Sequence, residues 1–347
     1  MQKSKNRNVF KRIFSIRGVG QVVTVTIGLI MLCVVFALLN PNFTSPRNTN
    51  NLLRQIAPFL IVGIAQSYVL ITGNIDLSIG SVLGMSCMIS ATLMTKGMDP
   101  WTASVITLGC CLLVGVLNGV LVANCKLPPF IATLGTMTIA RGIAQIVNNN
   151  MNTDSIGEAA KGFRDFFYYG KFMGIYSTVI IAIVLWIIFD FILSKTRTGS
   201  HIYAVGSNIE AAKLSGVNVS SVVIKVYMVS AFCSGIAGLI TCATGGLGTM
   251  DSGNSFELYA VAASVIGGVS TLGGQGILLG TVVGASVWGV MQNGLSLAGA
   301  PVALRNIIIG IIVVISVLAD VVVRSGKWNR KTKEVSATDA PQIEKRN

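Results

Sequence analysis

Charge is what this 347-residue chain has least of. Only 11% of its residues are Asp, Glu, Lys or Arg, against about a quarter in soluble domains. Acids are the scarcer sign, 13 in all, and there is one histidine, His201. That histidine comes with no G-x-S-x-G elbow, so a hydrolase triad has no support. Nothing matches G-x-x-x-x-G-K-[ST], which removes the loop that would cradle a nucleotide's phosphates. The seven cysteines (33, 87, 110, 111, 125, 233, 242) form no C-x-x-C pair and no Cys/His cluster with zinc spacing. They fall mostly inside apolar runs and read as small core hydrophobes. No catalytic residue and no metal site is expected.

What the chain does have is length of apolar sequence. Runs lie at 19–39, 56–73, 77–95, 101–123, 129–148, 174–193, 222–243, 257–272, 276–298 and 303–323, most near the roughly 18–20 residues that cross a bilayer as a helix. They are continuous, without the short alternating segments of a membrane β-barrel. The expected fold is all-α: a polytopic membrane protein of about ten transmembrane helices. The number falls toward eight if 77–95 or 257–272 is re-entrant.

The net charge of +13 orients the chain rather than pointing to nucleic acid. Six Lys and Arg lie in 1–17, seven in 324–347, four in the central stretch 195–225 (Lys195, Arg197, Lys213, Lys225) and one at Lys126. With the N-terminus inside, ten spans put these 18 on the cytoplasmic side, and seven (Arg47, Arg54, Lys96, Lys161, Arg164, Lys171, Arg305) outside. That is the bias expected of cytoplasmic loops. Arg141 remains within a span. The first apolar run has no cleavage site after it and reads as an uncleaved span. The expected organisation is a basic cytoplasmic N-terminus (1–18), a membrane domain (19–323) with a cytoplasmic insert at 194–221, and a cytoplasmic tail (324–347).

The insert is the polar exception. Asn208 is placed to cap a short helix, Glu210 sits in its first turn where a carboxylate complements the dipole, and Gly216 ends it. Glu210, Ala211, Ala212 and Gly216 thus define a helix–turn–helix knob with the shape to dock on a soluble partner. The largest external loop, 149–173, ends in Phe163, Phe166, Phe167, Tyr168 and Tyr169, either an interfacial aromatic belt or a docking surface.

Two glycine-rich breaks interrupt the apolar runs, at 73–80 and 267–276. Unpaired backbone at membrane depth survives only inside protein or beside water, and such breaks point to a transport path or to tight surface hairpins. Asp76 and Glu257 border them, and intramembrane carboxylates are costly and usually functional or paired. The glycines at 276, 280, 284 and 289 form a small-residue face suited to helix packing. Asn118-Gly119, Ala123 and Gly135 recur 175 positions later as Asn293-Gly294, Ala298 and Gly310, a hint of duplicated architecture.

Taken together, GNIDLSIGSVLGM (73–85), LPPFIATLGTMTIARG (127–142), RTGSHIYAVGSNIEAAKLSGVNV (197–219), ELYAVAASVIGGVSTLGGQGILLGTVVGA (257–285) and NGLSLAG (293–299) resemble the permease subunit of bacterial ABC importers of the ribose/xylose/galactoside group. The resemblance covers roughly residues 20–323. It implies an inner-membrane importer in which two permeases, identical or paralogous, form the pore. Each would place Glu210, Ala211, Ala212 and Gly216 on a separate cytoplasmic ATPase, the subunit that holds ATP and magnesium, and an extracytoplasmic binding protein would deliver the sugar. No cofactor is expected in this chain. Asn74, Asp76, Ser78, Ser81, Glu257, Ser270, Thr271 and Gln275 are the candidate groups along the path. Tyr259 departs from the family, which often has Asp there. The competing class is an ion-coupled carrier or channel for a small polar solute, which would need no ATPase.

Overall fold

The computed structural model describes residues 19–305 and, beyond them, 307, 308, 310–312, 314, 315 and 318. The termini expected in the cytoplasm, 1–18 and 324–347, lie outside the described residues. The long elements are α1 (Val19–Leu39), α2 (Pro46–Ile71), α3 (Ile79–Thr95), α4 (Pro100–Ala123), α5 (Pro129–Ile146), α6 (Ser177–Lys195), α9 (Val219–Gly245), α10 (Phe256–Ile266) and α11 (Leu278–Leu297). The insert folds as α7 (Arg197–Ser207) and α8 (Ile209–Leu214). Helical turns at 158–169 and a two-residue hairpin, Lys171–Phe172 with Ile175–Tyr176, fill the 149–176 loop.

Local chemistry sets the helix starts. Pro46 and Pro100 occupy first-turn positions, and Ser45, Asp99 and Asn218 cap α2, α4 and α9 with side-chain oxygens, which satisfies backbone donors that have no partner inside the helix.

Among the described residues, five helices (α1, α2, α4, α6 and α9) are long and apolar enough to cross a membrane. Each of the ten apolar runs coincides with a helix, counting helical positions from 302 to 318, yet they are not ten equivalent spans. At 1.5 Å per residue, the 11 residues of α10 reach about 16 Å, half of a hydrocarbon core of about 30 Å. The 257–272 run is thus a half-helix followed by a turn. The helix count also exceeds ten, because the 149–221 region adds short helices of its own.

Burial sorts the helices into a centre and a rim. α2 and α9 are enclosed along most of their length, whereas α1, α4 and α6 turn Leu38, Leu39, Val105, Leu113, Ile187 and Phe191 outward. Such helices, apolar all round, fit a bundle set in lipid.

The duplicated architecture is visible. Shifting α2 by 175 positions lands it on α9, and shifting α4 lands it on α11. The two sets interlock: α9 packs along α3 and α4 of the first set, while α2 packs along α10 and α11 of the second. The repeated asparagines do corresponding work. Asn118 on α4 donates to Ser78 Oγ at 2.9 Å and accepts from Thr136 Oγ1 of α5 at 2.6 Å. Asn293 on α11 exchanges a reciprocal amide pair with Asn48 of α2 at 2.9 and 3.0 Å. The 276–289 glycines face partners within the chain: Gly280 lies against Gly267, Gly284 against Ala263 and Gly289 against Ile56.

Candidate functional site

The insert forms its knob from local signals. Asn208 Oδ1 accepts from the Ala211 amide at 3.0 Å, and the Glu210 and Lys213 side chains pair at 2.7 Å. Gly216, at φ 79°, supplies the left-handed residue past the helix end. The Gly216 amide bonds Lys213 O at 2.9 Å and the Val217 amide bonds Ala212 O at 3.0 Å, the paired closure of a Schellman turn. Ala212 is the buried residue of α8. Ile209 is 46% exposed and Leu214 90%, so the knob shows apolar side chains at both ends. The sequence pattern drew attention to Glu210 and missed these two.

Behind the knob, α7 packs where the end of α2, which leads into the first break, meets the second break. The Gly274 amide donates to Ile71 O at 2.8 Å, joining the end of α2 to the second break. Gly206 of α7 packs directly on that junction, so close that a methyl there would overlap the Ile71 carbonyl oxygen. Gly273 lies against Gly73 and Gly206 in the same seam, and Tyr203 OH of α7 donates to Gly276 O at 2.6 Å. Three segments meet here through backbone because none of the four glycines carries a side chain. Asn74, whose amide reaches Thr72 Oγ1 at 2.9 Å, lies at this junction, as does the turn holding Ser270, Thr271 and Gln275. Ser270 accepts from the Leu272 amide at 3.2 Å, and its own amide bonds Gln275 O at 2.9 Å.

The first break turns back into the bundle. Asp76, 2% exposed, accepts from the Ser78 amide (2.8 Å), Ser78 Oγ (2.6 Å) and Ser230 Oγ of α9 (2.6 Å). Ser78 passes the chain to Asn118 and Thr136, and Tyr227 OH secures Ile75 O at 3.0 Å. Buried polar groups are tolerated when they are bonded in this way. Asp76 and Ser78 therefore stand in a sealed network across α3, α4, α5 and α9.

The 175-residue shift relates this break to 248–255, not to the other glycine-rich break at 267–276. Asp76 shifts onto Asp251, which is exposed. The segment 248–255 runs along α3: Gly248 lies near Met88, Ser252 against Gly84, and Gly253 with Glu257 against Gly80. Glu257 is thus an α10 length away from the second break it seemed to border in sequence. Arg141 of α5 holds the segment down, its Nη1 donating to Met250 O (3.0 Å) and Ser252 O (2.8 Å). A cavity of about 410 Å³ opens beside it, lined by Ser81, Met137, Thr138, Arg141, Gly142, Gln145, Asn254, Ser255 and Glu257. Glu257 and Ser81 are the sequence candidates found there. Arg141, Thr138, Gln145 and Asn254 carried no assigned role, and only the isolation of a cation in an apolar span could have flagged the first of them. Tyr259 packs its ring against Phe59, Phe256 and Trp288.

The family model described as branched-chain amino acid transport system / permease component matches residues 48–317. The chain belongs to this permease family. Among curated relatives, the permease is 36% identical over 303 residues to the ribose import permease protein RbsC of Bacillus subtilis (strain 168), covering 87% of this chain and 94% of the relative. It is 32% identical over 296 residues to the D-allose transport system permease protein AlsC of Escherichia coli (strain K12), covering 84% and 89%. It is 32% identical over 310 residues to the fructose import permease protein FrcC of Rhizobium meliloti, covering 87% and 84%. No solved structure matches the permease.

Proposed function

We propose that this permease forms the path of an ATP-driven monosaccharide importer in the inner membrane, powered by a separate cytoplasmic ATPase. The observation that carries the reading is the double contact of the insert. Gly206 and Tyr203 of α7 touch the second break directly and, at Ile71, the end of α2 that leads into the first, while the adjoining α8 presents Ile209, Glu210 and Leu214 outward. A partner that moves this knob moves both breaks. The full-length similarity to sugar import permeases supplies the substrate class, and the Lys/Arg distribution puts the knob, with both termini, on the cytoplasmic side.

A second permease copy or a paralogue completes the pore in this reading. One face of α5 packs inward through Ala132, Thr133, Thr136, Ala140 and Ala144, and Phe130, Ile131, Leu134, Ile139 and Ile143 are left outside. The cavity with Arg141 and Glu257 opens beside that face. Charged groups facing hydrocarbon are costly, so this side suits a seam between permeases. An extracytoplasmic binding protein delivers sugar from the opposite end to the ATPase.

The test uses the permease reconstituted in liposomes with its ATPase and sugar-loaded binding protein. Glu210→Lys reverses a charge on the docking knob, and Leu214→Asp removes an apolar anchor from it. Buried anchors at protein interfaces typically cost about 2–4 kcal/mol when lost, so uptake should fall about 30-fold or more, with the permease still inserted. Normal uptake in both variants overturns the docking role. Uptake abolished by an ionophore at constant ATP overturns the importer in favour of an ion-coupled carrier.

A further inference from the structure

We propose that the α3–α5–α10 cavity is a resting site for a neutral sugar, gripped at adjacent hydroxyls by Glu257 as acceptor and Arg141 as donor. This deepens the importer reading and rests on it.

The position fits a station on the path. Arg141 reaches Gly84, 11 residues before Thr95 at the end of α3, or about 16 Å along the helix at 1.5 Å per residue. That is about half the depth of a bilayer core. The volume of about 410 Å³ falls within the roughly 300–1,000 Å³ of small-molecule sites.

The two charged groups are set up to receive a ligand rather than to satisfy each other. Among the described residues the one ion pair is Glu210–Lys213, so Glu257 and Arg141 share a cavity without pairing. Arg141 commits Nη1 to two carbonyls, which fixes the guanidinium in place, and a guanidinium has five N–H donors in all. Glu257 stands in the first turn of α10, where the helix dipole favours a carboxylate. A fixed donor plane and a two-oxygen acceptor lining one cavity suit neighbouring hydroxyls, each of which both donates and accepts.

A zwitterionic amino acid would also satisfy one cation and one anion. The rest of the lining decides against a branched-chain one. Ser81, Thr138, Gln145, Asn254 and Ser255 add hydrogen-bonding groups, and Met137 is the single large apolar side chain. A Val or Leu side chain would have one large apolar partner, Met137, whereas a polyol has five uncharged polar residues to bond besides Arg141 and Glu257.

The experiment separates the site from the importer reading. First, the reconstituted complex is assayed for uptake of D-ribose, D-allose, D-galactose and D-fructose. Uptake of none of them overturns the importer reading itself. Second, a Thr138→Cys permease with the exposed Cys125 changed to Ser is labelled with a water-soluble methanethiosulfonate, in the absence of binding protein. The transported sugar should slow labelling about threefold at twice its Kd, by mass action. Glu257→Gln should abolish that protection, and L-valine should give none. Where Glu257→Gln fails to insert, Gln145→Met carries the same comparison from the opposite wall. Uptake without protection at any sugar concentration overturns the site. Protection by sugar that survives both substitutions overturns the residue assignment, and protection by valine instead of sugar overturns the ligand class.

Discussion

A Gly206→Val permease should insert and still carry its α8 knob, but transport should be lost. Gly206 packs on the hydrogen bond that joins Ile71 O to the Gly274 amide, and Gly273 closes the same seam against Gly73. The neighbours are backbone, so no side chain can rotate away from a new branched group. Overpacking of this kind costs about 1–3 kcal/mol, and here it also separates α7 from the end of α2 and from the second break. If the seam transmits movement, about 3 kcal/mol of lost coupling corresponds to roughly a hundredfold loss. The measurement is sugar-stimulated ATP turnover alongside uptake in proteoliposomes. Turnover should continue at its basal rate and stop responding to loaded binding protein. Wild-type uptake in Gly206→Val would show that the insert acts on the bundle through some other contact.

The seam also shows which features a sequence can disclose. The knob was legible because its signals are local. An asparagine cap, a first-turn glutamate and a glycine at the end lie within nine residues, and the structure closes them into one capped helix. The apolar runs were legible for the same reason, each being a continuous property of one segment. The arrangement of the breaks was not. Glycine content singled out 73–80 and 267–276, whereas the interlocked repeat relates 73–80 to 248–255, which reads in sequence as an ordinary polar connection between two apolar runs. Arg141 shows the limit most clearly. Its partners, Met250 and Ser252, are 109 and 111 positions away, and no periodicity within α5 announces a contact at that separation. Glu257 was misplaced for a related reason: α10 lies between it and the break it borders in sequence, and Gly80, far back in the chain, is its actual neighbour.

Asp76→Ala should be the most destabilising single substitution in the bundle that leaves the hydrophobic core untouched. The carboxylate accepts three hydrogen bonds, two from Ser78 and one from Ser230, and Ser78 in turn orients Asn118. Each bond contributes about 1 kcal/mol net, and a buried donor left without a partner costs about 1–3 kcal/mol more. The expected loss is on the order of 3–5 kcal/mol, read as a large fall in the thermal midpoint of the detergent-solubilised permease. Asp76→Asn keeps one acceptor oxygen and presents an amide that Ser230 can meet by turning its hydroxyl, so its cost should be about 1–2 kcal/mol. That ordering separates two roles for the residue. A structural Asp76 makes the alanine variant fragile and the asparagine variant stable and active. An alanine variant with the wild-type midpoint and no uptake would instead put the Asp76 carboxylate on the translocation path.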